Sequence, residues 1–419
     1  MYKAIIASID LLEPIEWKDR ILKAQVAWST VIVNNEVKVW DLVVYFPVDG
    51  CVTQEYWSKN NLFKSLGGYL ESNGRIRCLK LAGVKSDWLA MPLSSLDYAV
   101  KSGHIFNKWD VLSEVNGKEV CYKYINQATL KAQGNNWQKK NRWATPMFPK
   151  HIDTEQLFQY MSELREWDDL IVTQKVHGTS QRVWYVIEKN RGFWGKIADW
   201  LWLDYSNRQY MVGTRNTIVT DDKPDGWYSN DFRFRAANPF VDKLHKWEVV
   251  YYEVVGRENW HTPIMWSVSI SGFDEVTQAW LSDNIGISLG MWLVYSYGCN
   301  PGEHKIYVYR IAMVNEDWHI LDYSWDQVKK RCSEMQVDHV PELERIKYNG
   351  NPRELTDYIL NKYEDKADFI DSTHPLEGIC VRVDKGFVPS IFKRKTRNFR
   401  FWEWIIKSKE DYVDMEESS

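Results

Sequence analysis

Residues 170–189 read LIVTQKVHGTSQRVWYVIEK. An apolar, β-branched run ends at Lys175, a turn is expected around Gly178, and a second β-rich run follows to Lys189, the signature of two strands joined by a short connection. Strand-like runs recur downstream as YMVGTRN (210–216), WEVVYYEVVG (247–256), KIYVYRIAMV (305–314), EGICVRV (377–383) and SIFKRK (390–395), with helical spacing over Asp326–Met335 and Pro352–Lys362. This predicts an antiparallel α+β domain over 146–408, ending in an acidic tail, KEDYVDMEESS, at 409–419. Just upstream, DTEQLFQYMSELREW (153–167) predicts a helix capped by Asp153, with Leu157, Tyr160, Met161 and Leu164 on its apolar face.

The first hundred residues have a different texture. Short β-branched runs, AQVAWSTVIV, VKVWDLVVYFPV, RIRCLKLAG and WLAMPL, are separated by polar turns. They predict a small all-β, OB-like barrel over 1–102, although a sandwich of that size reads much the same. Residues 103–145, including AQGNNWQKKNRW, read as a polar connector.

A chain of 419 residues with 44% hydrophobic and 26% charged side chains has ample apolar surface to bury in more than one core. The net charge of −4 excludes a uniformly basic coat, so any polyanion is held by a local patch. The six cysteines form no CxxC pair, which argues against structural zinc. Neither a signal peptide nor an 18-residue apolar stretch is present, so a cytoplasmic monomer with free thiols, not attached to a membrane, is expected. The 23 tryptophans and 23 tyrosines are expected mostly in cores or half-buried strands.

Lys175 is the first candidate for chemistry. A lysine amine is a poor nucleophile while protonated, but neighbouring cations, a metal or partial desolvation lower its pKa. A glycine three positions on allows a phosphate ester to approach closely. By itself, a lysine followed by such a glycine is a weak signal and reads more readily as a strand-end lysine on a β-turn. Downstream, in order, stand Arg215 and Asn216 in TRN, Glu253 in YYEVVG, Tyr307 in IYVYR, Glu377 in EGICVR, and Lys393, Lys395 and Arg397 in FKRKTRNF. Glu253 and Glu377 at strand ends could hold a divalent cation, or be merely solvated edges. Lys393 and Lys395 alternate on a strand and share one face, with Arg394 on the other.

Taken together, these segments resemble the nucleotidyltransferase motifs of covalent polynucleotide ligases and capping enzymes: I at Lys175, Ia at Arg215, III at Glu253, IIIa near Tyr307, IV at Glu377 and V at Lys393 and Lys395. His177 and the Thr-Ser after Gly178 resemble RNA ligases more than DNA ligases. The text ASIDLLEPIEWKDRI resembles the amino-terminal OB module of an ATP-dependent RNA ligase family in which that module precedes the adenylyltransferase domain.

The resemblance implies that Lys175 attacks the α-phosphate of ATP to form lysyl-AMP. AMP then passes to an RNA 5′-phosphate, and an RNA 3′-hydroxyl displaces it, as in RNA repair. It further implies that Lys175, His177, Gly178, Arg215, Asn216, Glu253, Tyr307, Glu377, Lys393 and Lys395 bind the nucleotide. Glu253 and Glu377 would hold Mg²⁺ or Mn²⁺, Tyr307 would stack on adenine (Tyr309 being the alternative), Lys393 and Lys395 would assist Lys175, and Arg215 and Arg397 would meet RNA. Three departures stand out: His177 in place of the commoner aspartate, Gln156 where an arginine is usual, and an aromatic insert at 191–205. The alternatives are a DNA ligase, a capping-type guanylyltransferase, or an inactive RNA-binding relative.

Overall fold

The computed structural model describes residues 2–26, 29–48, 50–63, 70, 73–77, 79–81, 84–86, 89–101, 104–125, 148–149, 151–152, 154–189, 206–215, 218–219, 228, 232–259, 262–265, 267–273, 275–315, 317, 319–400 and 403. The chain divides into two compact units, Met1–Asn126 with Phe158–Glu163, and Gln127–Leu157 with Leu164–Ser419. Asn216, Asp153, the 191–205 insert and the acidic tail lie outside the described residues. Among the described residues, no helix is long and apolar enough to cross a membrane.

The first unit is built on an antiparallel sheet. Strands β1 (Ala4–Ile15), β2 (Lys18–Val26), β3 (Ser29–Asn34), β4 (Leu42–Phe46), β5 (Leu89–Pro92) and β6 (Val111–Leu112) run in the order β3-β2-β1-β4-β5, with β6 on β1. Buried Ile5, Ile9, Val26, Val44, Phe46 and Tyr56 fill its core. Residues 104–125, read as connector from the sequence, carry β6 and further short strands, and bury Leu112, Val115, Val120 and Cys121 in this same core.

The second unit holds two sheets. One orders β7 (Glu155–Gln156), β17 (Ser390–Lys395), β16 (Gly378–Val383), β8 (Asp169–Lys175) and β15 (Glu342–Lys347), antiparallel except for the β7–β17 pair. The other orders β11 (Ile218–Val219), β10 (Ser206–Gly213), β9 (Thr179–Lys189), β12 (Glu248–Gly256), β13 (His304–Val314) and β14 (Ile320–Asp322), antiparallel throughout. Their shared core contains Ile171 from the first sheet, Val183, Val250, Tyr252 and Val308 from the second, and Trp325, Val328, Cys332 and Met335 from helix α1 (Trp325–Met335). The helical expectation at Asp326–Met335 is met by α1, which opens on a Ser324 capping box, and that at Pro352–Lys362 by α2 (Pro352–Tyr363), capped by Asn351. Val176–Gly178, the stretch between β8 and β9, is where the chain leaves one sheet for the other.

The helix expected from Asp153 onward is not formed. Residues Glu155–Gln156 extend instead as a parallel partner of Phe392 and Lys393, which removes the first helical turn. Leu157, Phe158, Met161 and Leu164 are buried, but through two short 3-10 turns, Leu157–Gln159 and Met161–Glu163.

A recurrent turn launches four of the strands. In Lys38–Asp41, Asn107–Asp110, Arg165–Asp168 and His245–Glu248, the acidic residue closes the turn twice. Its carboxylate accepts from the first residue's N–H at 2.7–2.8 Å, and its own N–H donates to that residue's carbonyl at 3.0–3.1 Å. The tryptophan before the acid is held at positive φ each time, +75° at Trp40, +80° at Trp109, +72° at Trp167 and +67° at Trp247, a conformation unfavourable for bulky side chains. The aromatic expectation therefore misses a class: Trp40 and Trp167 are two-thirds exposed.

Candidate active site

Sheet register assembles the site. Lys175 pairs with Gly378, which pairs with Lys395; two residues away, Thr173 pairs with Cys380, which pairs with Lys393. Directly opposed antiparallel residues share a face, so Lys175, Cys380, Lys393 and Lys395 share one. Arg394 belongs to the opposite face and pairs with Glu364 at 3.4 Å, as the alternation of the lysines predicted.

Gly378 is required by close approach. A Cβ there would lie 2.1 Å from the Arg394 carbonyl oxygen. Immediately before it, the buried Glu377 places Oε1 2.8 Å from Lys175 Nζ and 3.7 Å from Lys395 Nζ, while Oε2 lies 3.7 Å from His177 Nδ1. Burial pushes the Glu377 carboxyl up, and Lys175 and Lys395 oppose that shift. Lys395 Nζ also meets Glu403 Oε1 at 2.6 Å. A carboxylate is thus in direct contact with Lys175, a neighbour the sequence reading assigned only to the nucleotide and a metal.

The turn after Lys175 is confined as well. A Cβ on Gly178 would stand 2.6 Å from the Val254 carbonyl oxygen and 3.2 Å from Glu253 Oε2. Glu253 lies on β12 opposite Ser180 and Tyr307. His177 donates its backbone N–H to the Tyr297 hydroxyl at 2.7 Å, and its ring sits 4.7 Å from Tyr295 and 4.8 Å from Phe399. The Cys380 thiol, pushed up to about 11 by burial, feels Lys175, Glu377, Lys393 and Glu253. All four therefore lie within electrostatic reach of Cys380. Sequence reasoning missed Cys380, although its place two residues after Gly378 was a usable signal.

The remaining candidates are more dispersed. Tyr307 is buried in the larger core, 6.4 Å from Tyr297, with its hydroxyl pushed up to about 12 by burial. Tyr309 bonds Ser180 Oγ at 2.7 Å, and Glu253 and Arg215 act on it. Spacing could not separate the two tyrosines; a register irregularity between Tyr251 and Tyr252, opposite Tyr309, gives them different surroundings. Arg215 follows β10, and its carbonyl accepts from His151 N–H at 3.5 Å. Arg397 lies just beyond β17 and its backbone N–H donates to Glu364. Gln156 is the strand partner of Lys393.

Among the described residues no group of three or more His, Cys, Asp or Glu side chains could hold a metal. Hard divalent cations often keep several waters and take only one or two carboxylates together with substrate phosphates. Glu377 Oε2, buried and without a hydrogen-bond partner among the described residues, together with Glu253, fits a metal that arrives with a triphosphate rather than a resident protein-only site.

The RNA ligase family model matches residues 168–401. Solved structures with the same fold include a mutant of an RNA ligase of Naegleria gruberi with ATP and Mn, at 15% identity and TM-score 0.58, covering 95% of this chain and 98% of that one. The same enzyme with PPi gives 14% identity and TM-score 0.55, covering 94% and 97%. A mutant with AMP and Mn gives 15% identity and TM-score 0.58, covering 95% and 98%. No curated protein matches.

Proposed function

The chain belongs to the RNA ligase family, and from that premise we propose that it seals RNA at the expense of ATP through Lys175. The observation that carries the reading is the contact of Lys175 with Glu377, flanked by Lys395 across the Gly378 row. The Lys175 amine attacks the α-phosphorus of ATP; an N–P bond forms, the bond to the β-phosphate oxygen breaks, and pyrophosphate leaves. Glu377, at 2.8 Å and weakened as an acid by burial, is placed to take the amine's proton. Lys393 and Lys395 offset the negative charge that develops on the leaving group.

An RNA 5′-phosphate oxygen then attacks the lysyl-AMP phosphorus, breaking the N–P bond and giving a 5′–5′ pyrophosphate. An RNA 3′-hydroxyl attacks its 5′-phosphate and expels AMP. Mg²⁺ or Mn²⁺ held by Glu253 and Glu377 would screen the polyphosphate charge. Arg215, Asn216, Gly178 and His177 complete the nucleotide pocket, Tyr307 stacks on adenine, and Arg215 and Arg397 meet the RNA. The amino-terminal unit is an OB-like RNA-binding module that precedes a nucleotidyltransferase domain in the chain of a cytoplasmic monomer.

The test is incubation with α-labelled ATP and MnCl₂ followed by a denaturing gel. Label is expected on the chain, is lost in Lys175→Ala, and is chased by 5′-phosphorylated RNA but not by DNA. Labelling from GTP alone, or label retained in Lys175→Ala, contradicts the proposal.

A further inference from the structure

Gln174, the residue before the nucleophile, points to the face of the first sheet opposite Lys175 and is buried. Its Nε2 donates to Asp368 Oδ2 at 2.7 Å. Asp368 is itself fixed, since Oδ1 accepts the N–H groups of Ile370 at 2.8 Å and Asp371 at 3.2 Å. Asp368 N–H bonds the His374 carbonyl at 2.9 Å, and Leu376 N–H bonds the Lys366 carbonyl at 2.9 Å. Residues 366–376 are therefore a closed hairpin whose exit is Glu377.

The other side of the nucleophile is held through the same hairpin. Asp371 Oδ2 accepts Gly298 N–H at 2.9 Å, anchoring the turn that carries Tyr297. The Tyr297 hydroxyl takes the His177 N–H at 2.7 Å. Fully buried His374 fills the space between, 4.3 Å from the Tyr295 ring and 4.6 Å from that of Tyr297. Tyr297 sits at φ +51°, a conformation that persists for a bulky residue only where its surroundings enforce it.

Resting on the lysyl-AMP reading above, we infer that this hairpin is the positioning element of the nucleophile: Asp368 and Tyr297 grip the chain on either side of Lys175, while the same loop delivers Glu377 to its amine. Asp368 and Tyr297 touch no reacting atom. They act by holding the Nζ of Lys175 in line for the α-phosphorus, and displacements of about 1 Å can cost on the order of 100-fold in rate.

The expected pattern separates positioning from mere stability. In Tyr297→Phe, which keeps the ring and removes the hydroxyl, the maximal rate of lysyl-AMP formation falls about 10-fold or more with the KM for ATP unchanged. Sealing of an RNA strand already carrying a 5′-adenylate, which needs no attack by Lys175, stays within about 2-fold by the same reasoning. Asp368→Ala shows a deeper loss of the same kind. Asp368→Asn recovers most of it, because Gln174 Oε1, without a partner among the described residues, can accept the new amide after a side-chain flip. Equal losses in both reactions, or a full adenylylation rate in a folded Tyr297→Phe, overturn the inference. Should Asp368→Ala fail to fold, Tyr297→Phe decides. A wild-type chain that forms no lysyl-AMP refutes the functional reading instead, so the two failures are distinguishable.

Discussion

Gly378→Ala is the sharpest test of the active-site geometry. The added methyl would sit 2.1 Å from the Arg394 carbonyl oxygen, 2.8 Å from Lys395 Cα and 2.9 Å from the Arg394 carbonyl carbon, against 3.4–4 Å for ordinary contact. All three atoms are backbone, so no side chain can swing aside. Strands β16 and β17 must part by more than about 1 Å, at a cost near the upper end of overpacking, about 3 kcal/mol. For a unit of this size that lowers Tm by roughly 5–10 °C.

Because Gly378 stands between Lys175 and Lys395, the same displacement opens the 3.7 Å approach of Lys395 to Glu377. Lysyl-AMP formation therefore falls well beyond what the lower stability explains. Gly386→Ala is the control: φ is +65° but nothing lies within 4 Å of its Cβ, so it carries only a left-handed penalty of about 1–2 kcal/mol. Thermal melting and the rate of AMP attachment by intact-mass analysis are the readouts. If Gly378→Ala matches Gly386→Ala in both, the close packing of β16 on β17 is not what aligns the lysines.

Further outcomes follow from individual groups. Glu377→Gln abolishes lysyl-AMP formation, and its stability relative to wild type rises with pH above the unfolded carboxyl pKa. Burial raises the folded Glu377 pKa, so the wild type loses stability as its carboxyl ionises. Asp368, raised by burial from 3.8 to about 6, likewise loses stability between those pH values. Urea titrations should therefore show Asp368→Asn gaining about 2 kcal/mol on wild type from pH 4 to pH 6; a constant difference would contradict this. His374, lowered by burial to about 4, has the opposite sign, its stability rising with pH from about 4 to 6.5, so the wild-type profile is partly compensated. Asp41→Ala removes the side-chain closure of its turn and costs about 1 kcal/mol in a denaturant melt.

Much of this was legible from pattern alone. Strand runs around Lys175, Glu253, Glu377 and Lys393–Lys395 appear where β-branched density placed them, because a pleated, half-buried strand advertises itself locally. What stayed hidden depends on partners far away in sequence. The Leu157–Leu164 spacing reads as helix, yet pairing of Glu155–Gln156 with β17, more than 200 residues on, diverts the chain. The contact of Glu377 with Lys175 and the grip of Asp368 on Gln174 likewise join residues about 200 positions apart. Tyr307 and Tyr309 differ because of a register irregularity that no periodicity encodes. The tryptophan turns were visible as repeated Trp-Asp and Trp-Glu pairs, but a bulky residue at positive φ runs against propensity, and only the paired carboxylate contacts explain it.

The place of Lys175 at the last position of β8, with its neighbours fastened on both sides, governs what an adduct there could do. A nucleotide tethered to that amine travels only as far as one lysine arm swings, unlike cargo on a mobile carrier domain. The ends to be joined must come to the tether, and the reach of the enzyme is set by how the nucleic acid docks.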